Sequence, residues 1–326
     1  YYYTAKKTKP DRIIPVGLFA LSSKECRTGD AGQGLTLLLC ACGIILLAGG
    51  GRDGTQTRRK EWETMLNDFE MVTHEFNNPI SIFPISDVHF GALGHMEREW
   101  TAFCNLVHQT PNAYIILGGD LINNSTKSSV GSPWDDTVRP REQKTRMVEF
   151  LMPIKDKILC CVSGNHEARS LKDADDDPTY DIMTKLDLEH LYRQNMCFMK
   201  VSLGQRRDDK TPIQSYTFAV THGAGGGIYT GATVNRNERF GNVIDGLDCL
   251  VVGHTHKGTV SKPSKIIIDR KNSSVTMSHY TVISMVSWMN FGGYAMKKML
   301  LPAQVAEPQM LKLSMSRTHK KIEVVW

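Results

Sequence analysis

Five times along this chain a short aliphatic run stops at a histidine, an aspartate or an asparagine, and that repetition restricts the fold more than any other feature. Ile80–Ile85 runs up to Asp87-Val88-His89, and Ala113–Leu117 runs up to Gly119-Asp120. Ile158–Val162 precedes Gly164-Asn165-His166-Glu167. Tyr216–Val220 leads to His222, and Cys249–Val252 leads to Gly253-His254-Thr255-His256. Each run has the length and the aliphatic character of a buried strand, too short for a helix. Five of the eleven histidines fall in these clusters, so composition alone does not produce the pattern. Polar groups placed just past the ends of neighbouring strands converge on one rim of a sheet, where open α/β sheets carry their sites.

The segments between the runs have a different period. Glu97–His108, Arg141–Met152, Tyr180–Gln194 and Asn235–Ile244 carry helical spacing. Met199–Leu203 adds a strand. Past Gly258 the chain reads as strands at Ile266–Ile268, Ser274–Val286 and Lys321–Val325. Strands alternating with helices at this spacing predict an α/β layered fold. Glu61–Glu75 places Trp62, Met65, Leu66, Phe69 and Val72 on one helical face and reads as a lead-in helix. A chain of 326 residues with 41% hydrophobic and 22% charged side chains has ordinary globular composition and buries a substantial core.

Residues 1–60 differ in character from 61–326, which read as the principal domain. Leu35–Ala48 is almost uninterruptedly apolar and is flanked by Gly34 and Gly49-Gly50-Gly51. As a helix it would span roughly 21 Å, short of the ~30 Å hydrocarbon core. A membrane-associated segment is therefore the lesser reading, behind a buried hairpin or helix. A cytoplasmic protein is expected. The eight cysteines contain no CxxC pair, and Cys160, Cys161 and Cys249 lie in apolar runs where a thiol behaves as a small hydrophobe. A reducing compartment is the simpler setting. The formal charge of +5 suits an anionic substrate but is spread too thinly to imply nucleic acid by itself.

Carboxylate oxygens and imidazole nitrogens gathered on one rim suit manganese, iron or zinc, whereas oxygens alone would suit magnesium or calcium. Two such ions need a bridging ligand, which a carboxylate provides. In that order the clusters D-x-H, G-D, G-N-H-E, H and G-H-T-H resemble the calcineurin-like metallophosphoesterase superfamily over roughly Ile80 to Lys257. The resemblance implies a four-layer α-β-β-α sandwich of two mixed sheets flanked by helices. It implies two divalent metal ions, manganese foremost: one on Asp87, His89 and His256, the other on Asn165, His222 and His254, with Asp120 bridging. His166 would stand off the metals as transition-state stabiliser or proton donor. The implied reaction is hydrolysis of a phosphate ester by a metal-activated hydroxide.

For substrate, a phosphodiester of nucleic acid or nucleotide is favoured over a phosphomonoester or phosphoprotein. Protein Ser/Thr phosphatases carry Asp-Arg-Gly after the second motif, whereas here Asp120 is followed by Leu121-Ile122-Asn123. Asp87-Val88-His89-Phe90-Gly91 resembles the start of the recombination-repair exonucleases. An inactive scaffold of the same fold is opposed by the intact ligand set. Asn123–Arg141 contains Lys127, Trp134, Arg139 and Arg141, a mixture that contacts phosphate and stacks on a base, although a solvated loop is the plainer reading. Arg169 is a further candidate substrate contact. Gly223–Thr233 reads as a glycine-rich flap, and Asp173–Asp177 as a solvated acidic run leading into a helix.

Overall fold

A computed structural model describes residues 38–40, 43–45 and 67–326, apart from 128, 130–133, 135, 207–211, 226, 228, 298 and 304. The chain divides into two units, Tyr1–Gln56 and Thr57–Trp326. In the first, β1 (Leu38–Cys40) pairs antiparallel with β2 (Gly43–Ile45), so part of the apolar stretch is a hairpin; its remainder lies outside the described residues. Among the described residues no helix is long and apolar enough to cross a membrane.

The second unit begins with β3 (Val72–Phe76), β4 (Ser81–Ile85), α1 (Glu97–Gln109), β5 (Ala113–Leu117), α2 (Pro140–Leu151) and β6 (Ile158–Val162). There follow α3 (Glu167–Ala174), α4 (Pro178–Lys185), β7 (Tyr192–Arg193), β8 (Met196–Leu203), β9 (Gln214–Thr221), α5 (Thr230–Gly241) and β10 (Cys249–Val252). The chain closes with β11 (Thr259–Ser261), β12 (Ser264–Asp269), β13 (Ser274–His279), β14 (Thr281–Ser284), α6 (Tyr294–Lys297), β15 (Met310–Leu313) and β16 (Ile322–Val325). Two six-stranded mixed sheets result, ordered β16-β15-β4-β5-β6-β7 and β11-β14-β10-β9-β8-β3. The α/β sandwich expected from the sequence is present.

Side-chain alternation explains the layers. In β9 and β10, Phe218, Val220 and Val251 point into a large core shared with Ile82, Ile116 and Cys160 of the other sheet. Their neighbours Ala219, Leu250 and Val252 point the other way, into a smaller cluster with Leu247 and Tyr280. A period of two thus gives each sheet an inner face and a helix-covered outer face. Every residue of β6 and β10 is buried, as parallel strands covered on both faces require. Cys104, Cys160, Cys161, Cys197 and Cys249 are free and buried. Trp100 of α1 and Trp288 are fully buried with ring centroids 5.2 Å apart, and the Trp288 amide donates to the Asp87 carbonyl at 3.0 Å. The aromatic core therefore holds the first cluster from below.

Several boundaries depart from the sequence reading. Phe69 and Val72 do not share a helix face: Val72 opens β3, which pairs in parallel with β8. Residues 61–66 lie outside the described part. The helix expected over Tyr180–Gln194 stops at Lys185, and Tyr192–Arg193 instead extends the sheet beside β6. Ser274–Val286 breaks at Tyr280 into β13 and β14. The flap expected over Gly223–Thr233 is shorter, because α5 starts at Thr230. Within the acidic run Asp177 caps α4, accepting from the amides of Thr179 and Tyr180, and Asp175 closes α3 in a left-handed conformation.

Candidate metal centre

The ends of β4, β5 and β6 in one sheet and of β9 and β10 in the other meet at a single rim. Asp87 and Asp120 are buried there, at 0% and 1% exposure. Asp120 Oδ2 lies 3.3 Å from His222 Nε2, 3.8 Å from His89 Nε2 and 3.9 Å from His166 Nε2. Asp87 Oδ1 lies 3.1 Å from His256 Nε2 and 3.8 Å from His89 Nε2. Asn165 Oδ1 is 3.0 Å from His222 Nε2 and 2.6 Å from His254 Nδ1. All seven residues that the sequence nominated as ligands, together with His166, come together. Asn165 is exposed, so the cluster opens to solvent on its side.

The backbone that delivers these side chains is unusual. Asp87, His89, Asp120, His254 and His256 all have positive φ, between 48° and 71°. Left-handed conformations cost non-glycine residues free energy and concentrate at functional sites. Each here turns the chain sharply off a strand end so that the side chain faces the rim. Gly119 (φ +85°) has no room for a side chain: a Cβ there would lie 2.5 Å from the Gly164 amide nitrogen, and Gly164 in turn abuts the Asp120 backbone. Gly119→Ala is expected to lower stability by about 2 kcal/mol or more, since both the conformation and the contact resist a side chain. Urea unfolding measures this, and an unchanged midpoint would contradict it.

The donor chemistry fits a cation. His222 Nδ1 is 2.8 Å from the Gly118 carbonyl, which only accepts, so Nδ1 carries the hydrogen and Nε2 presents its lone pair to the cluster. Burial opposes charge on His222, yet the Asp120 carboxylate raises its imidazole to about 10. The field at Nε2 is one that retains positive charge. His89 Nε2 and His256 Nε2 face each other at 3.1 Å, and Asp87 Oδ1 between them is buried without a hydrogen bond. Imidazole nitrogens converging on a buried carboxylate oxygen are what an ion would satisfy. Among the described residues three groups have donor atoms within 4.8 Å of one another: Asp87-His89-His256, Asp120-His222-His254 and His89-Asp120-His166. The acidic run 173–177 is not among them.

His166 is held differently. Its Nδ1 is 2.7 Å from the Asn123 carbonyl and so donates, leaving Nε2 directed at the cluster. Burial, partly offset by Asp120, lowers its pKa. Arg169 stands beside it, with one guanidinium nitrogen 3.2 Å from His166 Nδ1 and donating to Ser129 Oγ. Arg139 is elsewhere, lining a cavity of about 340 Å³ with Ser125, Trp134 and Asp136. Arg141 is exposed on α2 and does not line that cavity.

Sequence reasoning missed the supports. Glu167 Oε1 accepts from the amides of Leu121 and Ile122, and Oε2 from those of Asp120 and Gly164, at 2.7–3.2 Å. Asn124 Nδ2 donates to the His166 carbonyl at 2.9 Å, and the Ser86 hydroxyl donates to Asp87 Oδ2. The fourth residue of Gly164-Asn165-His166-Glu167 was in view as a motif member. An acid at the first position of a helix beside two buried turns is the signal that could have marked it.

Residues 80–258 match the family described as calcineurin-like phosphoesterase, and the chain belongs to that family. It is a phosphoesterase with a histidine–aspartate site suited to metal. Among curated proteins no sequence matches this chain.

Proposed function

We propose that the protein hydrolyses phosphodiesters of nucleotides or nucleic acid, using two divalent ions. The observation that carries the reading is the position of Asp120 Oδ2, within 3.8 Å of both His222 Nε2 and His89 Nε2. Those nitrogens belong to separate donor groups, so one carboxylate is placed to bridge them. Asp87, His89 and His256 would hold one ion, and Asn165, His222 and His254 the other. Mixed nitrogen and oxygen donors favour manganese, then iron or zinc. Bound, such ions supply Lewis acidity towards the phosphate and lower the pKa of water.

The chain's own groups supply the rest. Gly118 and Asn123 fix which nitrogens of His222 and His166 face the cluster. With Nδ1–H committed to a carbonyl, His166 delivers a proton to the departing oxygen from Nε2 only as the imidazolium, a form that its lowered pKa makes a stronger acid and a less populated one. Arg169 sets a further positive charge beside it. His166→Ala is expected to keep the metal content of the parent while turnover falls by about 10²–10⁴-fold. Metal analysis alongside steady-state kinetics separates the two, and loss of metal would assign His166 to the ligand set.

The diester preference rests on the cavity lined by Ser125, Trp134, Asp136 and Arg139, which Asn123 links to the His166 ring. Asn123 Nδ2 donates to Ser125 Oγ and Asp136 Oδ1, joining the cavity wall to the carbonyl that holds His166. Trp134, 93% exposed, and Arg139 line it, a pairing suited to stacking a base and contacting a flanking phosphate. A monoester needs no such lateral surface. The buried free thiols suit a reducing, cytoplasmic setting. Manganese-loaded protein tested on a diester reporter, a monoester reporter, single-stranded DNA and a phosphopeptide decides the substrate class. Turnover of the diester and DNA is expected; activity on the monoester alone would overturn the preference.

A further inference from the structure

The hairpin β12–β13 exposes an apolar sheet face that nothing in the site chemistry uses. Six residue pairs form its ladder, with Ile266 opposite Met277 and Ile268 opposite Val275. Directly opposed residues share a face, and those two pairs are two residues apart, so all four side chains project together. Each is 67–74% exposed. The arm is nonetheless well formed. Asp269 Oδ1 accepts from the amides of Lys271 and Asn272 at its tip, and Asn272 Nδ2 donates to Asp269 Oδ2. At its base Lys265 Nζ donates to the Ile244 carbonyl and the Tyr280 amide to the Pro263 carbonyl. A two-stranded ribbon with such a face is marginal alone in water and gains by covering it.

The charge around the face selects the cover. Arg270 and Lys271 stand exposed at its tip beside Asp269 and Lys262 is exposed at its base, while Lys265 lies on the opposite face and reaches back to the Ile244 carbonyl and Asp245. A second copy placed on the same face by twofold symmetry would bring the exposed basic groups towards their own equivalents, and four side chains offer less area than a stable dimer needs. Nucleic acid would call for several aromatic or basic groups on the face itself, where one imidazole, His279 held by Ser264 at the base, accompanies four Ile, Val and Met side chains. Apolar side chains that enter the acyl boundary, with lysine and arginine beside them at headgroup level, match an anionic bilayer.

Topology leaves the site clear of that contact. Val252, at the end of β10 that leads to His254, pairs with Ser284 of β14, and Ser284 pairs with Thr259 of β11. Ser261 and Thr281 therefore mark the opposite end of the sheet, and the hairpin leaves from there. We propose that β12–β13 is a docking arm that seats this phosphoesterase on anionic phospholipid, with the metal centre turned away from the bilayer.

Full-length protein is sedimented with vesicles of phosphatidylcholine alone or with about one-third phosphatidylserine. The parent is expected to bind the anionic vesicles and not the neutral ones. Ile266→Asp/Ile268→Asp should reduce bound protein at least tenfold, and so should Arg270→Glu/Lys271→Glu, whose exposed positions spare the fold. Both variants should keep the parent's turnover of a small soluble ester. Absence of binding to anionic vesicles, or binding that survives both double substitutions, overturns the proposal. So does a hairpin-dependent dimer in sedimentation velocity, or hairpin-dependent binding of duplex DNA, in place of vesicle binding.

Discussion

Asp120→Asn is expected to remove phosphoester hydrolysis and to leave the purified protein with little or no bound metal. The residue is buried at 1% exposure, and its two oxygens have divided tasks. Oδ1 accepts the His166 amide at 2.8 Å, and Oδ2 faces His222 at 3.3 Å. Asparagine can keep the first contact with its carbonyl oxygen, so the loop between β6 and α3 keeps its anchor. Its NH₂ then points at imidazole lone pairs where a negative oxygen stood. The charge that raises His222 to about 10, and that would balance a pair of dications, is gone. Outer groups that only orient ligands cost 10–100-fold in metal affinity when changed, so a bridging ligand should cost at least about 100-fold. Metal content by mass spectrometry, read beside circular dichroism, tests this. A folded variant that keeps its metal and its activity would remove Asp120 from the centre.

What the sequence disclosed and what it withheld divide along a physical line. The five strand ends were legible because burial on both faces writes a continuous aliphatic run, as in Ile158–Val162 and Cys249–Val252. The polar clusters were legible because they interrupt those runs abruptly. That the clusters meet was an inference from α/β topology, and the distances among Asp87, Asp120 and the imidazoles bear it out. Short edge pieces left no period to detect: Tyr192–Arg193 is two residues long and lies inside the stretch Tyr180–Gln194 that read as a helix. Ser274–Val286 looked continuous because the break at Tyr280 lies between two stretches that are both extended. The left-handed conformations of Asp87, His89 and His256 were hidden for another reason. They are imposed by the site, in residues whose own preferences favour other conformations.

Glu167→Ala is expected to lower the stability of the fold by on the order of 4 kcal/mol, a large part of what a domain of this size possesses. The side chain is fully buried, and four backbone amides from two loops end on its oxygens. Burial, with the Asp120 charge beside it, pushes its carboxyl pKa up, and the amides pull the other way by favouring the ionised form. All four neighbours are donors, an arrangement that serves a carboxylate and gives an acid proton no acceptor. Removing the side chain leaves those amides unpaired at the turn that carries Asp120, with each unsatisfied donor costing about 1–3 kcal/mol unless water enters. The sharper variant is Glu167→Gln. Oε1 serves Leu121 and Ile122, and Oε2 serves Asp120 and Gly164, so either orientation of the amide sets its NH₂ against two N–H groups. Glutamine should therefore destabilise nearly as much as alanine, despite matching glutamate in shape. Urea unfolding of the parent and both variants provides the comparison. A glutamine variant with the parent's midpoint would mean that the four amides do not depend on a carboxylate, and Glu167 would then be no more than a filler of space beneath Asp120.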